Sequence, residues 1–187
     1  MVKELDRSNR KIIASLIQDP RMNVKKIARQ ASLSRPTVMV RLKKLKKKGI
    51  INIITGLTLH NLDFFIAHLF FEIKGQKAAE EMIDRLSICP RILLFSKLMH
   101  KANFWALIFA ENHRTLKCVI ENIRYSIPEG SIIHVFYSES SSIHGDLLVK
   151  IFSEKNEVTS CGKTCLVCQD YSHCVACPSS TDYKGIL

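Results

Sequence analysis

Five cysteines near the end of the chain fall in the order Cys161-x3-Cys165-x2-Cys168-x5-Cys174-x2-Cys177. Two of the spacings are CxxC, and each offers a chelating bite of the kind a tetrahedral thiolate site needs. The segment around them has no apolar periodicity from which to build a core, and some thirty residues are too few to fold without a staple. A bound metal would supply that folding energy. Zinc suits this pattern, held by four of the five thiolates. Cys165, Cys168, Cys174 and Cys177 make the two pairs, and Cys161 is the extra or stands in for one of them. An iron–sulfur cluster is the alternative, because Cys177-Pro178 ends the run as cluster-binding runs do. Lys163 and Lys184 can offset the negative charge of such a site. Cys89 and Cys118 stand apart and read as structural thiols among apolar neighbours.

The second concentration of chemistry is charge. Residues 1–50 hold 15 Lys+Arg against 3 Asp+Glu, and the remaining 137 residues hold 13 against 14. The whole +11 of the chain therefore lies in its first quarter. A segregated basic block is the footprint of a polyanionic partner.

The elements that must position these charges are legible. Asp6 can cap a helix reaching about Gln18, with Ile12, Ile13, Leu16 and Ile17 as its apolar stripe. Asp19-Pro20 stops it. Asn23 can cap a second helix, Val24 to Ala31, and Ser32-Leu33 is the turn. Ser34 caps a third helix with Pro36 in its first turn, where a missing N–H costs nothing. Val38, Leu42 and Leu45 form its inner face, and Gly49 ends it. This is a helix-turn-helix whose third helix enters a major groove by its N-terminal end. Its outer face carries Ser34, Arg35, Pro36, Thr37, Met39, Val40 and Arg41. Arg35 or Arg41 can pair bidentately with guanine, and Thr37 can meet a base or a phosphate. Met39 and Val40 either touch thymine methyls or pack inward. Lys44 and its neighbours, with Lys25 on the second helix, suit phosphate contacts that position without specifying. Ile50 to Leu59, with Thr55-Gly56, reads as a wing hairpin or hinge strand.

These strings resemble the Lrp/AsnC family of regulators: LDRSNRKIIASLIQD, then RMNVKKIARQASLSRPTVMVRLKKLKKKGII. The shared points are Leu5-Asp6, Leu33-Ser34, Thr37-Val38, Arg41, Leu45 and Gly49-Ile50-Ile51. The resemblance is close over residues 1–59 and looser over 60–152. It implies a sequence-specific, DNA-binding transcription regulator that assembles as a homodimer or higher oligomer. It also implies a small effector bound at subunit contacts. The cysteine-rich end resembles appendages of archaeal regulators, which points to an archaeal source.

From Phe64 the pattern reads strand (to Ile73), helix (Gln76–Leu86), strand (Ile92–Leu98), strand (Asn103–Ala110), helix (Arg114–Tyr125, capped by Asn112) and strand (Ser131–Ser138). That order, βαββαβ, is ferredoxin-like. His144 to Phe152 adds a last strand. The family's effector loop carries a Gly and an Asp between the second and third strands. Here His100 and Asn103 stand in those places beside Lys101, which argues against an amino-acid effector. Trp105 reads as core or interface.

The expected fold class is α+β. Residues 1–55 are the winged helix-turn-helix and 56–62 the hinge. Residues 63–152 are the ferredoxin-like effector-binding and oligomerisation domain, and 153–187 the metal-binding tail. No run approaches the ~18 apolar residues of a membrane span, and the charged start lacks a signal-peptide pattern. The expected location is the cytoplasm. No paired carboxylates, nucleophile–base pair or phosphate-cradling glycine loop argues for an enzyme. A triplet like Cys161-x3-Cys165-x2-Cys168 also occurs in radical enzymes, but no barrel of theirs fits in this length.

Overall fold

The structure is a computed structural model that describes residues 5–54, 56–142, 147–149, 151, 154–159, 164 and 174–187. The chain divides into two compact units, Met1–Ile54 and Thr55–Leu187.

The first unit is helical: α1 (Arg7–Gln18), α2 (Val24–Ala31) and α3 (Arg35–Lys47). Each starts where the sequence places a short polar side chain. The side chains of Asp6, Asn23 and Ser34 accept from the backbone N–H groups of Asn9, Lys26 and Thr37. Such caps satisfy donors that the first helical turn leaves unpaired, each contributing about 1 kcal/mol. The helix α3 ends in a Schellman turn. Gly49 is left-handed at φ +64°, its N–H donates to the Lys46 carbonyl, and Ile50 N–H donates to the Leu45 carbonyl. Ile12, Met22, Ile27, Ala28, Ala31 and Val38 form the small core. The expected stripe on α1 is narrower than read: Ile17 is 77% exposed, and Ser15 is buried, donating its hydroxyl to the Lys11 carbonyl. Three short helices need only one ridge of α1, so its second apolar row has nothing to meet.

The second unit opens with β1 (Leu57–Thr58) and continues through β2 (Phe65–Glu72), α4 (Gln76–Ser87), β3 (Ile92–Lys97), β4 (Phe104–Ala110), α5 (His113–Ser126), β5 (Ile132–Glu139) and β6 (Leu148–Val149). The strands β3-β4-β2-β5 form one antiparallel sheet in that order, so the βαββαβ reading and its ferredoxin-like sheet are found. Alternation sends Ala67, Leu69 and Phe71 of β2 and Phe104, Ala106 and Ile108 of β4 into the core beneath Met82, Leu86, Leu116, Ile120 and Ile123.

The opposite face is covered over part of its area. Leu59, Phe64, Val149 and Leu187 pack there on Ile66, Leu107 and Phe109. Of the two readings left open for residues 50–59, wing hairpin or hinge strand, the described residues show a short strand and no hairpin. Leu57–Thr58 pairs instead with Leu148–Val149, far along the chain. Gly56 is needed for close approach rather than for a turn, since a Cβ there would lie 2.6 Å from the Val149 carbonyl oxygen. Among the described residues the last expected strand, His144 to Phe152, is the two-residue β6. Its positions 144–146, 150 and 152 lie outside the described residues.

The end of the chain, set apart in the sequence reading as a tail, shares the core of the second unit where it is described. Leu187 is buried with Tyr183 beside it, and Asn156 bridges to Ser180.

Candidate nucleic-acid interface

The third helix presents its outer face as the sequence predicts, with one reassignment. Val38 and Leu45 are buried. Ser34, Arg35, Pro36, Met39, Val40 and Lys44 are exposed, as is Lys25 on α2. Met39 and Val40, left open between packing and base contact, are 60% and 68% exposed and so take no part in the core. Ser34 and Thr37 share a hydroxyl contact of 2.7 Å at the start of α3. Ser34 is therefore mainly the cap that fixes how the helix begins.

Arg41 is engaged elsewhere. Its Nη1 donates to Asp6 Oδ2 at 2.6 Å and to Asn9 Oδ1 at 2.9 Å. Asp6 thus caps α1 with one oxygen and holds α3 with the other. The Arg41 hydrogen bond, helped by the Asn9 backbone N–H, lowers the Asp6 pKa below the ordinary carboxylate value. Arg35 is exposed and makes no hydrogen bond or ion pair among the described residues. Sequence reasoning saw Asp6 only as a cap. Its second role needs a partner 35 residues away, which local pattern does not disclose.

An open groove of about 620 Å³ runs beside this face, lined by Pro36, Val40, Leu45 and Ile50 with Asp6, Arg41, Lys44 and Lys48 at its rim. An exposed helix start flanked by lysines can sit in a DNA groove, with Arg35 toward bases and the lysines toward phosphates.

Residues 5–52 match the winged helix-turn-helix DNA-binding family.

Beyond that segment, 72–77% of the chain resembles several solved regulators in fold. The leucine response regulatory protein LrpA of Mycobacterium tuberculosis shares 16% identity at a TM-score of 0.64, over 72% of this chain and 92% of its own. AsnC of E. coli shares 18% at 0.61, over 72% and 91%. A transcriptional regulator of Neisseria meningitidis solved with L-Met shares 19% at 0.60, over 77% and 96%. These likenesses show a shared fold. No curated protein matches the chain.

In the second unit the expected effector loop divides. Asn103 is fully used by the fold. Its side chain accepts from Ile73 N–H at 2.9 Å and donates to the Ile73 carbonyl at 2.7 Å, tying β4 to the end of β2. His100 is exposed, and Lys101 Nζ lies 3.6 Å from Glu72. The Glu72 carboxylate also pairs with His134 at 3.1 Å, and that bond is the main cause of its lowered pKa. Trp105 is half-buried against the covered cluster beside His68 and Phe70, and its Nε1–H is buried with no acceptor among the described residues.

Of the five clustered cysteines, Cys174 and Cys177 are described and half-buried. Cys161, Cys165 and Cys168 lie outside the described residues. Among the described residues no three metal-ligating side chains converge. No described helix is long and apolar enough to cross a membrane.

What the sequence reading missed is a buried network behind Cys174 and Cys177. Arg91, 2% exposed, pairs with Glu111 at 2.7 Å and lies 5.8 Å over the Phe109 ring. The Tyr183 hydroxyl donates to the other Glu111 oxygen. Burial, and then that bond, push the Tyr183 pKa well above its ordinary value. Nothing in local sequence pairs residues 91, 111 and 183.

Proposed function

We propose that this chain is a DNA-binding transcription regulator of the Lrp/AsnC type, acting on double-stranded DNA in the cytoplasm, and not an enzyme. The observation that carries it is the exposed start of α3. Arg35, Met39 and Val40 stand clear of the core on a doubly fixed helix, inside a unit that holds all of the chain's excess positive charge. Arg35 reads guanine, Met39 and Val40 meet thymine methyls, and Lys25 and Lys44 hold phosphates.

Footprinting on genomic fragments, followed by a salt titration on the protected site, tests this. The expected result is one protected, roughly palindromic site and affinity that falls linearly in log–log form with salt. Uniform weak binding to every fragment would overturn it.

Two further parts of the reading concern the second unit. The open sheet face carries Phe70, His134 and Phe136. It is the surface on which a second copy would dock, making a homodimer that spaces two α3 helices along DNA. The cysteine run holds a metal, zinc in preference to an iron–sulfur cluster, because the two CxxC bites supply four thiolates. A small effector would meet His100 and Lys101, since Asn103 is committed to Ile73. That loop offers a cation and an imidazole but no free carboxylate, so it favours an anionic effector over an amino acid's ammonium group. Whether metal state alters operator affinity is read by repeating the footprint after chelation.

A further inference from the structure

Cys174 and Cys177 sit on a turn that is gripped from outside. Val175 N–H donates to Thr115 Oγ1 on α5 at 3.1 Å. Arg91 Nη2 donates to the Ala176 carbonyl at 2.5 Å. Lys184 N–H donates to the Val175 carbonyl at 3.0 Å, and Ser180 N–H to the Cys177 carbonyl at 2.8 Å. Both residues between the two cysteines are therefore pinned. One of them, Ala176, is left-handed at φ +66°, a conformation that opposes a side chain bearing a Cβ and persists only where neighbours enforce it. Ser179 Oγ lies 3.3 Å from Cys177 Sγ, placed to donate to a thiolate.

Arg91 is the unusual part of this arrangement. A guanidinium taken fully out of water is unfavourable unless every interaction it makes is well formed. Arg91 uses one nitrogen to balance Glu111 and another to hold a single carbonyl of the Cys174–Cys177 turn. An apolar residue would pack against Phe109 without that desolvation. What an apolar residue would not do is fix the turn.

We propose that Arg91 and Thr115 are positioning residues for one half of a thiolate metal site, holding the Cys174-Val175-Ala176-Cys177 turn in its chelating form before the metal arrives. This rests on the metal reading given above. The ligand is a thiophilic divalent cation of the zinc class. Groups behind the ligands that orient them are worth about 10–100-fold in metal affinity. The unfolded chain has no such preformed turn, so metal bound here also stabilises the second unit.

The test uses the full, reduced chain, titrated with Co(II) through the thiolate-to-metal charge-transfer band and then with zinc in competition. Thr115→Val removes the hydroxyl acceptor at nearly constant volume. Arg91→Lys keeps the charge facing Glu111 but loses the two-pronged grip. Leu86→Ala, in the core beneath α4, lowers stability without touching the turn. Both grip variants are expected to bind metal about tenfold or more weakly, with Leu86→Ala binding as the parent does. Should Arg91→Lys fail to fold, Thr115→Val decides alone. Parent-like affinity in Thr115→Val, or an equal loss in Leu86→Ala, overturns the positioning role and leaves the metal reading standing. A parent that takes up no metal, or binding untouched by Cys174→Ser with Cys177→Ser, overturns the metal reading and this inference together.

Discussion

Two arginines on α3 are chemically equivalent as guanine readers, yet the structure separates them, and that separation is open to direct test. Arg35 is exposed at the first helical position and has no partner among the described residues. Arg41 spends Nη1 on Asp6 and Asn9 at 2.6 and 2.9 Å. A bidentate arginine–guanine pair is worth about 1–3 kcal/mol of discrimination, which is about 5–150-fold in the ratio of specific to random binding. Arg35→Ala should therefore lower that ratio by this factor per half-site, and up to its square for a dimer reading two. The slope of affinity against salt should change little, because a base contact releases no counterion. Lys44→Ala should do the reverse, weakening all duplexes alike and lowering the slope by about 1 per protomer. Arg41→Ala should lower the melting temperature of the first unit while its folded fraction keeps the preference. The assay is fluorescence anisotropy on the footprinted and a scrambled duplex, over a salt series, at a temperature where all variants are folded. The reasoning fails if Arg35→Ala retains the full preference and Arg41→Ala abolishes it. That result would mean Arg41 leaves Asp6 for a base on binding.

Three other outcomes are expected. The Asp6 carboxyl titrates below its ordinary value because Arg41 holds its charged form. The stability it provides is fully present above the unfolded aspartate value and fades as pH falls through the lower folded one; acid unfolding followed by circular dichroism should lose this dependence in Asp6→Asn. In the second unit, Arg91→Ala strands a buried Glu111 and should cost about 3–5 kcal/mol in denaturant unfolding, and Tyr183→Phe about 1–2 kcal/mol. The Tyr183 phenol is raised by burial and by Glu111, so its contribution is complete below the ordinary phenol value and is lost only as pH climbs to the higher folded one. The wild-type chain, but not Tyr183→Phe, should weaken in strong alkali on this account. Finally, Phe136→Glu, at a side chain 59% exposed on the open sheet face, should shift the chain toward monomer in sedimentation velocity without lowering its melting temperature.

Local chemistry made the first unit readable. Asp6, Asn23, Ser34 and Gly49 act through their own backbone and near neighbours, so sequence sufficed to place three helix starts and one end. Period-2 and period-3.6 patterns likewise located the strands and helices of the second unit, because each element buries one face on a single sheet. Reading failed where a partner lies far along the chain. Gly56 looked like a turn residue, yet its role is set by the approach of Val149. The tie between Arg41 and Asp6 left no local signal because the carboxylate that holds Arg41 caps another helix. Asn103 stood where the family's loop carries an acidic residue, and its actual use is a two-bond clasp on the Ile73 backbone. Arg91 and Tyr183 gave no signal, since one follows a Cys-Pro pair and the other sits in a polar segment.

The same distinction separates the contacts made within one element from those that tie the end of the chain to the sheet of the second unit. A cap or a hydrophobic stripe stabilises its own element and carries no information elsewhere. The long-range contacts differ in kind. Glu111 is shared by a buried guanidinium from the start of β3 and a phenol near the end of the chain, and that guanidinium also holds the Cys174–Cys177 turn. Loosening the turn leaves Arg91 without one of its two partners inside the unit. The Cys174–Cys177 turn is thus tied by hydrogen bonds to the residue that opens β3 and, through Thr115, to α5.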